Sequence, residues 1–542
     1  MTARIDASRT VGDNLPALVV GSGMSAMMAA RSLLELGAEV LLVNAGSPES
    51  WLYARTPGLD LQEEAALLSD NLDEVEIVRA AEYPRITRHG AAFEADLGAA
   101  GKRRCGCVIL APGNLTAQLP PGLPEGTGMI APRREWHCGQ AVAFVLDYGP
   151  WSSPAMGMAA IRHALDIQLE DGIAYVLMRH VPVASPGGEL LYDEAKRAGV
   201  QFFRFGDRLP EVRTVEKTNG KSKGKKEVEE GIFSVRLTDL IDADRAVELE
   251  CDAVVAAPVI RPSAALRGLF EVTGDPDADG FLLPESVHCH SGQTFRGGVF
   301  AIGEVTGEFD LLRVKEQSAA AALNARAWML SATEREQAST VSVGDSCIRC
   351  LTCGRICPHS AISFDPGPAR SQIRVSSALC RQCGICVSEC PRGVLDMRSY
   401  PEPAFDAVLE SLSLKWGYEP IVVYGCERSA GRAWKQITLP SDVWFFSVPC
   451  AGRVSESMLL RTLAAGTRGV MVVGCHGGNC ASSTGTEWSK ARVEATVGGM
   501  QGVSLPVEYR SLSSHEPARL LRIVNEFSES LAVGSEHSAL SS

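Results

Sequence analysis

The sequence has no apolar run near the ~18 residues that a membrane-spanning helix needs, so any membrane contact is expected to go through a partner. Its start, MTARIDASRTVGDN, shows no basic stretch followed by an apolar one. A secretory leader is therefore not expected, and a cytoplasmic location follows. No Lys/Arg-rich face stands out, and the formal net charge is −13, which argues against nucleic acid as a partner. The one basic cluster, Lys217, Lys221, Lys223, Lys225 and Lys226, is diluted by acids and reads as a solvated hairpin tip. No acid–base or nucleophilic constellation is present; His163, His180 and His290 stand alone and read as structural histidines. Cysteine is sparse over the first 346 residues. Cys105, Cys107, Cys138, Cys251 and Cys289 have no ligand spacing, and Cys105 and Cys107 are expected on one strand, facing the same side as ordinary packing.

The other 12 of the 17 cysteines are crowded after residue 346. A cytosolic chain keeps thiols reduced, so such crowding points to metal binding rather than disulfides. Cys347-x-x-Cys350-x-x-Cys353-x-x-x-Cys357-Pro358 is repeated as Cys380-x-x-Cys383-x-x-Cys386-x-x-x-Cys390-Pro391. This is the bacterial two-cluster ferredoxin run, in which three close thiolates wrap one cubane and the fourth ligates the other. One [4Fe–4S] cluster is expected on Cys347, Cys350, Cys353 and Cys390, and the second on Cys380, Cys383, Cys386 and Cys357. Zinc knuckles use single sets of four ligands, not two interleaved sets.

The 542 residues are too many for one core, and 45% hydrophobic with 22% charged is ordinary for a globular chain. Near the start, the apolar strand Leu18–Val20 runs into Gly21-x-Gly23-x-x-Ala26. A helical stretch follows to about Leu36, then a strand at Val40–Val43. This βαβ pattern carries a dinucleotide fingerprint. CVILAPG (107–113) and AVVAAPVIRP (253–262) read as equivalent buried strands. AVAFVLDYG (141–149), a helix near Met156–Gln168, IAYVLMRH (173–180) and ELLYDEAKRAGVQFFRFG (189–206) continue the alternation. The fold class expected is α/β, with a two-dinucleotide-binding-domain, Rossmann-like part, a 2[4Fe–4S] ferredoxin domain, and a C-terminal α/β iron–sulfur domain.

The segment Gly298–Ala322 resembles the second flavin motif of the thioredoxin-reductase-like flavoproteins. That resemblance implies FAD, with Gly303-Glu304 in the place of a Gly-Asp pair whose acid binds the ribityl chain. Asn44 stands where an acid usually holds the ribose hydroxyls, and Ala26 replaces the third glycine. Gly21, Gly23, Ala26, Asn44, Gly113, Gly303 and Glu304 are the candidate flavin residues. In the second dinucleotide domain of that family a Gly-rich turn holds NAD(P). Here Gly149-Pro150-Trp151-Ser152-Ser153-Pro154-Ala155-Met156-Gly157 stands instead, so no productive NAD(P)H site is expected.

Three apolar strands after residue 419, PIVVYGC, VWFFSVPC and GVMVVGC, each end in cysteine. Cys426, Cys450, Cys475 and Cys480 are thereby expected at one sheet edge. Their neighbourhoods resemble the delta subunit of methyl-viologen-reducing hydrogenase, which implies a [2Fe–2S] cluster; zinc is the alternative occupant. Ser429 replaces one cysteine of that pattern. His476 would tune a cluster or act as a cap.

The order of these parts resembles the A-type flavoprotein of heterodisulfide reductase and its relatives. Most of all it resembles the B-type component of the quinone-interacting membrane-bound oxidoreductase of sulfur metabolism. The domains expected are 1–125 and 251–335 (two parts of an FAD-binding domain), 126–250 (a second, degenerate Rossmann-like domain), 340–400 (ferredoxin-like) and 417–532 (delta-subunit-like). Residues 330–345 read as a linker and the tail VGSEHSALSS as frayed. The resemblance implies an electron-transfer subunit running from a partner through FAD, the [4Fe–4S] pair and [2Fe–2S] to a second partner, in either direction. The implied partners are a second flavoprotein subunit, a membrane haem or iron–sulfur subunit, and adenylylsulfate reductase. The competing readings are an NAD(P)H- or hydrogenase-linked electron-bifurcating oxidoreductase and a scaffold with a vestigial flavin site.

Overall fold

A computed structural model of the chain describes residues 15–539 apart from 46–73, 81, 90–91, 114, 131–139, 150–151, 216–231, 241–245, 267, 270–272, 274–275, 286–291, 332–340, 366–371, 377–378, 398–399, 403–404, 408, 411–418 and 500–504. Cys138, Cys289, His290, the basic cluster at 217–226, Pro150 and Trp151 lie outside the described residues, as does most of the linker expected at 330–345.

Three all-parallel sheets form the frame. The first runs Val299–Ala301, Cys107–Leu110, Ala17–Val20, Val40–Ala45, Glu76–Ala80. Four of these strands are almost continuously apolar because both faces are covered. Ala17, Val19, Val40, Leu42, Cys107 and Ile109 face a core with the helices Met24–Glu35 and Leu311–Leu330. Leu18, Val20, Leu41, Val43, Val108 and Leu110 face the opposite core, closed by the antiparallel strands Arg85–His89, Ala92–Asp96 and Lys102–Cys105. Strand order reverses between Ala17–Val20 and Cys107–Leu110, which makes their carboxyl ends a topological switch point.

The expectation for Cys105 and Cys107 is corrected here. Cys105 ends the antiparallel strand Lys102–Cys105, the chain turns at Gly106, and Cys107 begins a strand of the parallel sheet. The two thiols lie in different cores, on opposite faces. Burial pushes Cys105 up to about 12 and Cys107 higher still, so both are inert packing thiols.

The second sheet repeats the plan: Gln201–Arg204, Ile173–Met178, Ala141–Val145, Ala253–Ala256, Gly128–Met129, all parallel. Helices Pro154–Leu169 and Gly188–Ala198 cover one face, and an antiparallel sheet of Glu211–Val215, Ile232–Thr238 and Ala246–Cys251 covers the other. The boundary expected at residue 251 falls inside this unit, since Ala253–Ala256 pairs with Ala141–Val145. The return to the first sheet comes after the antiparallel pair Leu115–Gln118 and Val259–Pro262.

The ferredoxin-like module is small, with strand pairs Val341–Val343/Leu395–Met397 and Ile362–Asp365/Gln372–Val375 and two one-turn helices. Its internal repeat is visible in the backbone. Arg349 and Leu351 in one cysteine loop, and Gln382 and Gly384 in the other, take left-handed φ values of 58°, 61°, 53° and 79° at matching offsets. Each half curls tightly enough to point three thiols at one centre.

The third sheet, Val443–Val448, Ile421–Cys426, Gly469–Gly474, Val507–Ser511, is again parallel. The chain beyond it is helical over Pro517–Ala539, so the tail expected to fray continues this helix to Ala539. No helix among the described residues is long and apolar enough to cross a membrane.

Candidate redox site

At the switch point of the first sheet the backbone is drawn in until only glycine fits. Gly21 has φ 151°, and a Cβ there would lie 2.1 Å from the carbonyl oxygen of Ala111. A Cβ on Gly113 would lie 2.9 Å from Glu304 Oε2. At Gly23, which precedes helix Met24–Glu35 without any side-chain cap, a Cβ would meet nothing. Open amides at a helix start beside a close strand turn are what a pyrophosphate requires. Ala26 is fully buried in this turn, and Asn44 sits half-buried near the end of its strand.

Gly303 closes the site from the other side. Its φ is 70°, and its N–H donates to Gln317 Oε1 at 2.8 Å, fixing the turn on helix Leu311–Leu330. Glu304 follows, 2% exposed, with neither carboxylate oxygen hydrogen-bonded. Burial raises it to about 8. An unpartnered buried carboxyl group costs free energy unless something else binds it. The glycine cradle and this acid fit a flavin dinucleotide, which, when bound, would be held by Gly21, Gly23 and Ala26 at its pyrophosphate, Gly113, Gly303 and Glu304 at its polyol chain, and Asn44 at its ribose.

The corresponding turn of the second sheet is filled from within. Asp147 is left-handed (φ 55°) and 6% exposed. Its Oδ1 accepts from Ser152 N at 2.8 Å, and its Oδ2 from Arg179 N at 3.1 Å and His180 N at 3.4 Å. Ser153 caps helix Pro154–Leu169 by accepting from Met156 N, and Pro182 packs where a Cβ of Gly157 would be. In this turn the Ser152 amide is thus bonded to a carboxylate and the Met156 amide to the Ser153 hydroxyl.

The eight ferredoxin cysteines line two neighbouring cavities. Cys347, Cys350, Cys353 and Cys390 line the first, together with other residues of the same module alone. Cys357, Cys380, Cys383 and Cys386 line the second. Among the described residues no group of three or more His, Cys, Asp or Glu is arranged to hold a single metal ion. The two cavities have different surroundings. Cys357 and Cys380 pack against the helix-covered core of the first sheet, joined by Ala361 and Leu379. Cys383 packs against the core of the third sheet and hydrogen-bonds Ser482, two residues beyond Cys480.

At the carboxyl edge of the third sheet, Cys426, Cys450, Cys475 and Cys480 are all buried, none more than 7% exposed. Cys426 Sγ is 3.8 Å from Cys475 Sγ. Hydrogen bonds of Cys426 and Cys480 with Cys450 and Cys475 drive the first two thiols down and the last two up. The four sulfurs thus form a ring of mutual contacts. His476 takes no part: its ring nitrogens meet Ser511 Oγ at 3.2 Å and Glu516 Oε2 at 2.8 Å, a capping role.

Residues outside the ligand pattern hold the three parts together. Glu285, 7% exposed, follows the second sheet in the chain, and its Oε1 accepts from Arg381 at 2.7 Å and Arg428 at 3.1 Å. Arg381 follows Cys380, and Arg428 is two residues past Cys426. Arg453, fully buried, bonds Glu402 at 2.6 Å and touches Met458 Sδ, and a Cβ on Gly384 would strike it. Ile385, also fully buried, sits where a Cβ of Gly452 would lie and closes on Gly485. A Cβ on Gly485 would lie 2.5 Å from Cys450 Sγ. The sequence offered no local signal for the Glu285 node, whose members are 96 and 143 residues apart in the chain.

Comparisons with known proteins agree with this division. Residues 346–394 match the 4Fe-4S dicluster domain family, and residues 417–534 match the family of the methyl-viologen-reducing hydrogenase delta subunit. Over 186 residues the sequence is 28% identical to the A-type component of the H(2):CoB-CoM heterodisulfide,ferredoxin reductase of Methanothermobacter marburgensis, and equally to that of Methanothermobacter thermautotrophicus. This part of the chain is similar to the A-type component of that heterodisulfide reductase. The alignment takes in 34% of this chain and spans 28% of the length of those relatives. Among solved structures, thioredoxin reductase of Lactococcus lactis aligns with 59% of this chain and 100% of its own, at 14% identity and a TM-score of 0.40. That of T. acidophilum aligns with 58% and 99%, at 16% identity and a TM-score of 0.40.

Proposed function

We propose that this chain is an electron-transfer subunit with one FAD, two [4Fe–4S] clusters and one [2Fe–2S] cluster, acting as an oxidoreductase within a heterodisulfide-reductase-like complex. When bound, such clusters pass single electrons, and a flavin exchanges them singly or in pairs. The observation that carries the reading is the placement of the cavity of Cys357, Cys380, Cys383 and Cys386. It adjoins the core beneath the flavin-type turn on one side and the four-cysteine ring on the other. The chain's own residues set those positions: Glu285 ties Arg381 to Arg428, and Ile385 fills the seam against Gly452 and Gly485.

A quinone-linked complex serving adenylylsulfate reductase, with a second flavoprotein subunit and a membrane haem or iron–sulfur subunit, is the finer form of this proposal. The Asp147 plug in the second sheet supports a subunit fed by protein partners over an NAD(P)H oxidoreductase. The test is anaerobic purification with quantitation of iron, inorganic sulfide and flavin, together with EPR of the reduced protein. About ten irons and one FAD per chain are expected, arithmetic that follows from two cubanes and one two-iron cluster. Zinc in place of iron, or no inorganic sulfide, would overturn the reading. Fast bleaching of the flavin by NADH or NADPH would overturn the protein-fed form of it.

A further inference from the structure

Of the three cysteine sites, one is fully buried, one packs against the neighbouring cores with partly buried thiols, and one has an exposed cysteine. The ring of Cys426, Cys450, Cys475 and Cys480 is buried under Gly485 and Ile385. The site of Cys357, Cys380, Cys383 and Cys386 is pressed between the first-sheet core and the third-sheet core. The site of Cys347, Cys350, Cys353 and Cys390 is different, because Cys350 is exposed. Its cavity is lined by residues 347–351, 353, 373, 390–392 and 394–395.

The surface around that opening is unusual in two ways. Ile348 and Leu351, on either side of Cys350, are 59% and 37% exposed, although both are apolar. Arg349, Arg355 and Arg392 are exposed around them, against Asp345 as the exposed acid of the same loops. The chain as a whole carries a formal charge of −13, so this basic spot runs against the background. Among the described residues neither Arg349 nor Arg392 makes an ion pair, whereas Arg355 is used to hold its own loop, donating to the carbonyl oxygen of Cys350 at 3.0 Å. The neighbouring Glu389 is neutralised internally by Arg492 at 2.6 Å.

We propose that this face, centred on Cys350, is the docking surface for an acidic redox protein, and that the Cys347–Cys350–Cys353–Cys390 site is the chain's port to that partner. The inference rests on the electron-carrier reading above. Apolar side chains at the centre of a charged rim are the anatomy of a small, transient interface, and rim charges act mainly on encounter rate and salt dependence. An acidic partner is the one matched by two unpaired guanidinium groups; a basic one would meet like charge. The chain order expected from the sequence, with the ferredoxin pair strictly between flavin and C-terminal cluster, then becomes a branch. The site that touches both neighbours is Cys357–Cys380–Cys383–Cys386, and the other site is the arm that leads outward.

The test uses the full-length, anaerobically loaded protein and two probes: an acidic plant-type ferredoxin and a basic cytochrome c. Dissociation constants and the ionic-strength dependence of association are measured for the wild type and for the double variant Arg349→Glu/Arg392→Glu. Arg432→Glu, on the third-sheet domain, serves as the charge control. The acidic ferredoxin is expected to bind the wild type, and to bind the double variant about tenfold or more weaker, with a flatter salt dependence. Because both arginines line the cavity, iron content and EPR signals are recorded for every variant, and affinities are compared per loaded protein. An Ile348→Ala variant, which leaves the charge intact, is expected to weaken binding without altering the salt slope. Equal affinity of wild type and double variant, equal loss in the Arg432→Glu control, or preference for the basic cytochrome would overturn the proposal while leaving the electron-carrier reading intact. Absence of iron from the wild-type protein would sink both.

Discussion

The first and second sheets share a strand plan and differ in what fills the turn at their switch points. In the first, glycines draw the backbone in, the helix start is uncapped, and a buried acid waits without a partner. In the second, the same place is closed by Asp147, which takes three amide hydrogen bonds, and by the Ser153 cap. The first turn leaves its helix start uncapped, whereas the second bonds its amides to Asp147 and Ser153. The lesson is that duplication of a dinucleotide fold does not duplicate the site; the polar groups at the turn decide.

Substitutions can break this contrast from either side. Gly21→Val is expected to have the largest effect. Its side chain would collide with the Ala111 carbonyl, and the expected result is loss of flavin and of about 3 kcal/mol or more of stability. Flavin absorbance and thermal unfolding check this. On the opposite side, Asp147→Ala removes an acceptor of three amides at a left-handed residue, and a loss of roughly 2–3 kcal/mol is expected. Asp147→Asn, which tolerates the same backbone, should recover most of it. If Asp147→Ala were neutral in denaturant melts, the plug would not be a structural element.

Glu304 gives the contrast a pH signature. Buried without partners, it is raised from 4.5 to about 8. Between these values the folded, flavin-free protein holds a proton that the unfolded chain has released. Stability should therefore fall as pH rises from about 4.5 to about 8. Glu304→Gln should flatten that slope in flavin-free protein; an unchanged slope would mean that the acid has found a partner. The smallest effect expected is at Glu516, held near 2 chiefly by the Ser513 amide and also by His476 and Arg519. Its contribution is present above about 4.5 and lost as pH falls toward about 2. Because the group is largely solvated, the effect should stay below ~1 kcal/mol, read as the difference between wild type and Glu516→Gln in melts across that range.

How much of this was legible in the sequence depended on range. The two cysteine runs could be read because ligand spacing is local, and the structure gathers them as two sets of four around separate cavities. The parallel strands could be read because burial on both faces makes them continuously apolar. The Cys105–Cys107 error came from reading period two across Gly106, where the chain leaves one sheet for another. The continuation of the terminal helix into the tail was missed because Gly534 and the serines around it are weak helix formers. Asp147 could be suspected only from the missing glycines; its hydrogen bonds depend on the loop after Ile173–Met178. The Glu285 node was beyond any local pattern, since it is made by three distant segments.

The buried ring of four thiols also bears on how the protein is built. Among the described residues Ile385 is seated on Gly452 and Gly485, and Cys450 is only 4% exposed. Loading of that ring is thus expected to come first in biogenesis, with the ferredoxin module closing over it like a lid on a filled vessel. Delayed addition of iron and sulfide to the already folded, metal-free chain should restore the surface site of Cys350 before, and more fully than, the ring.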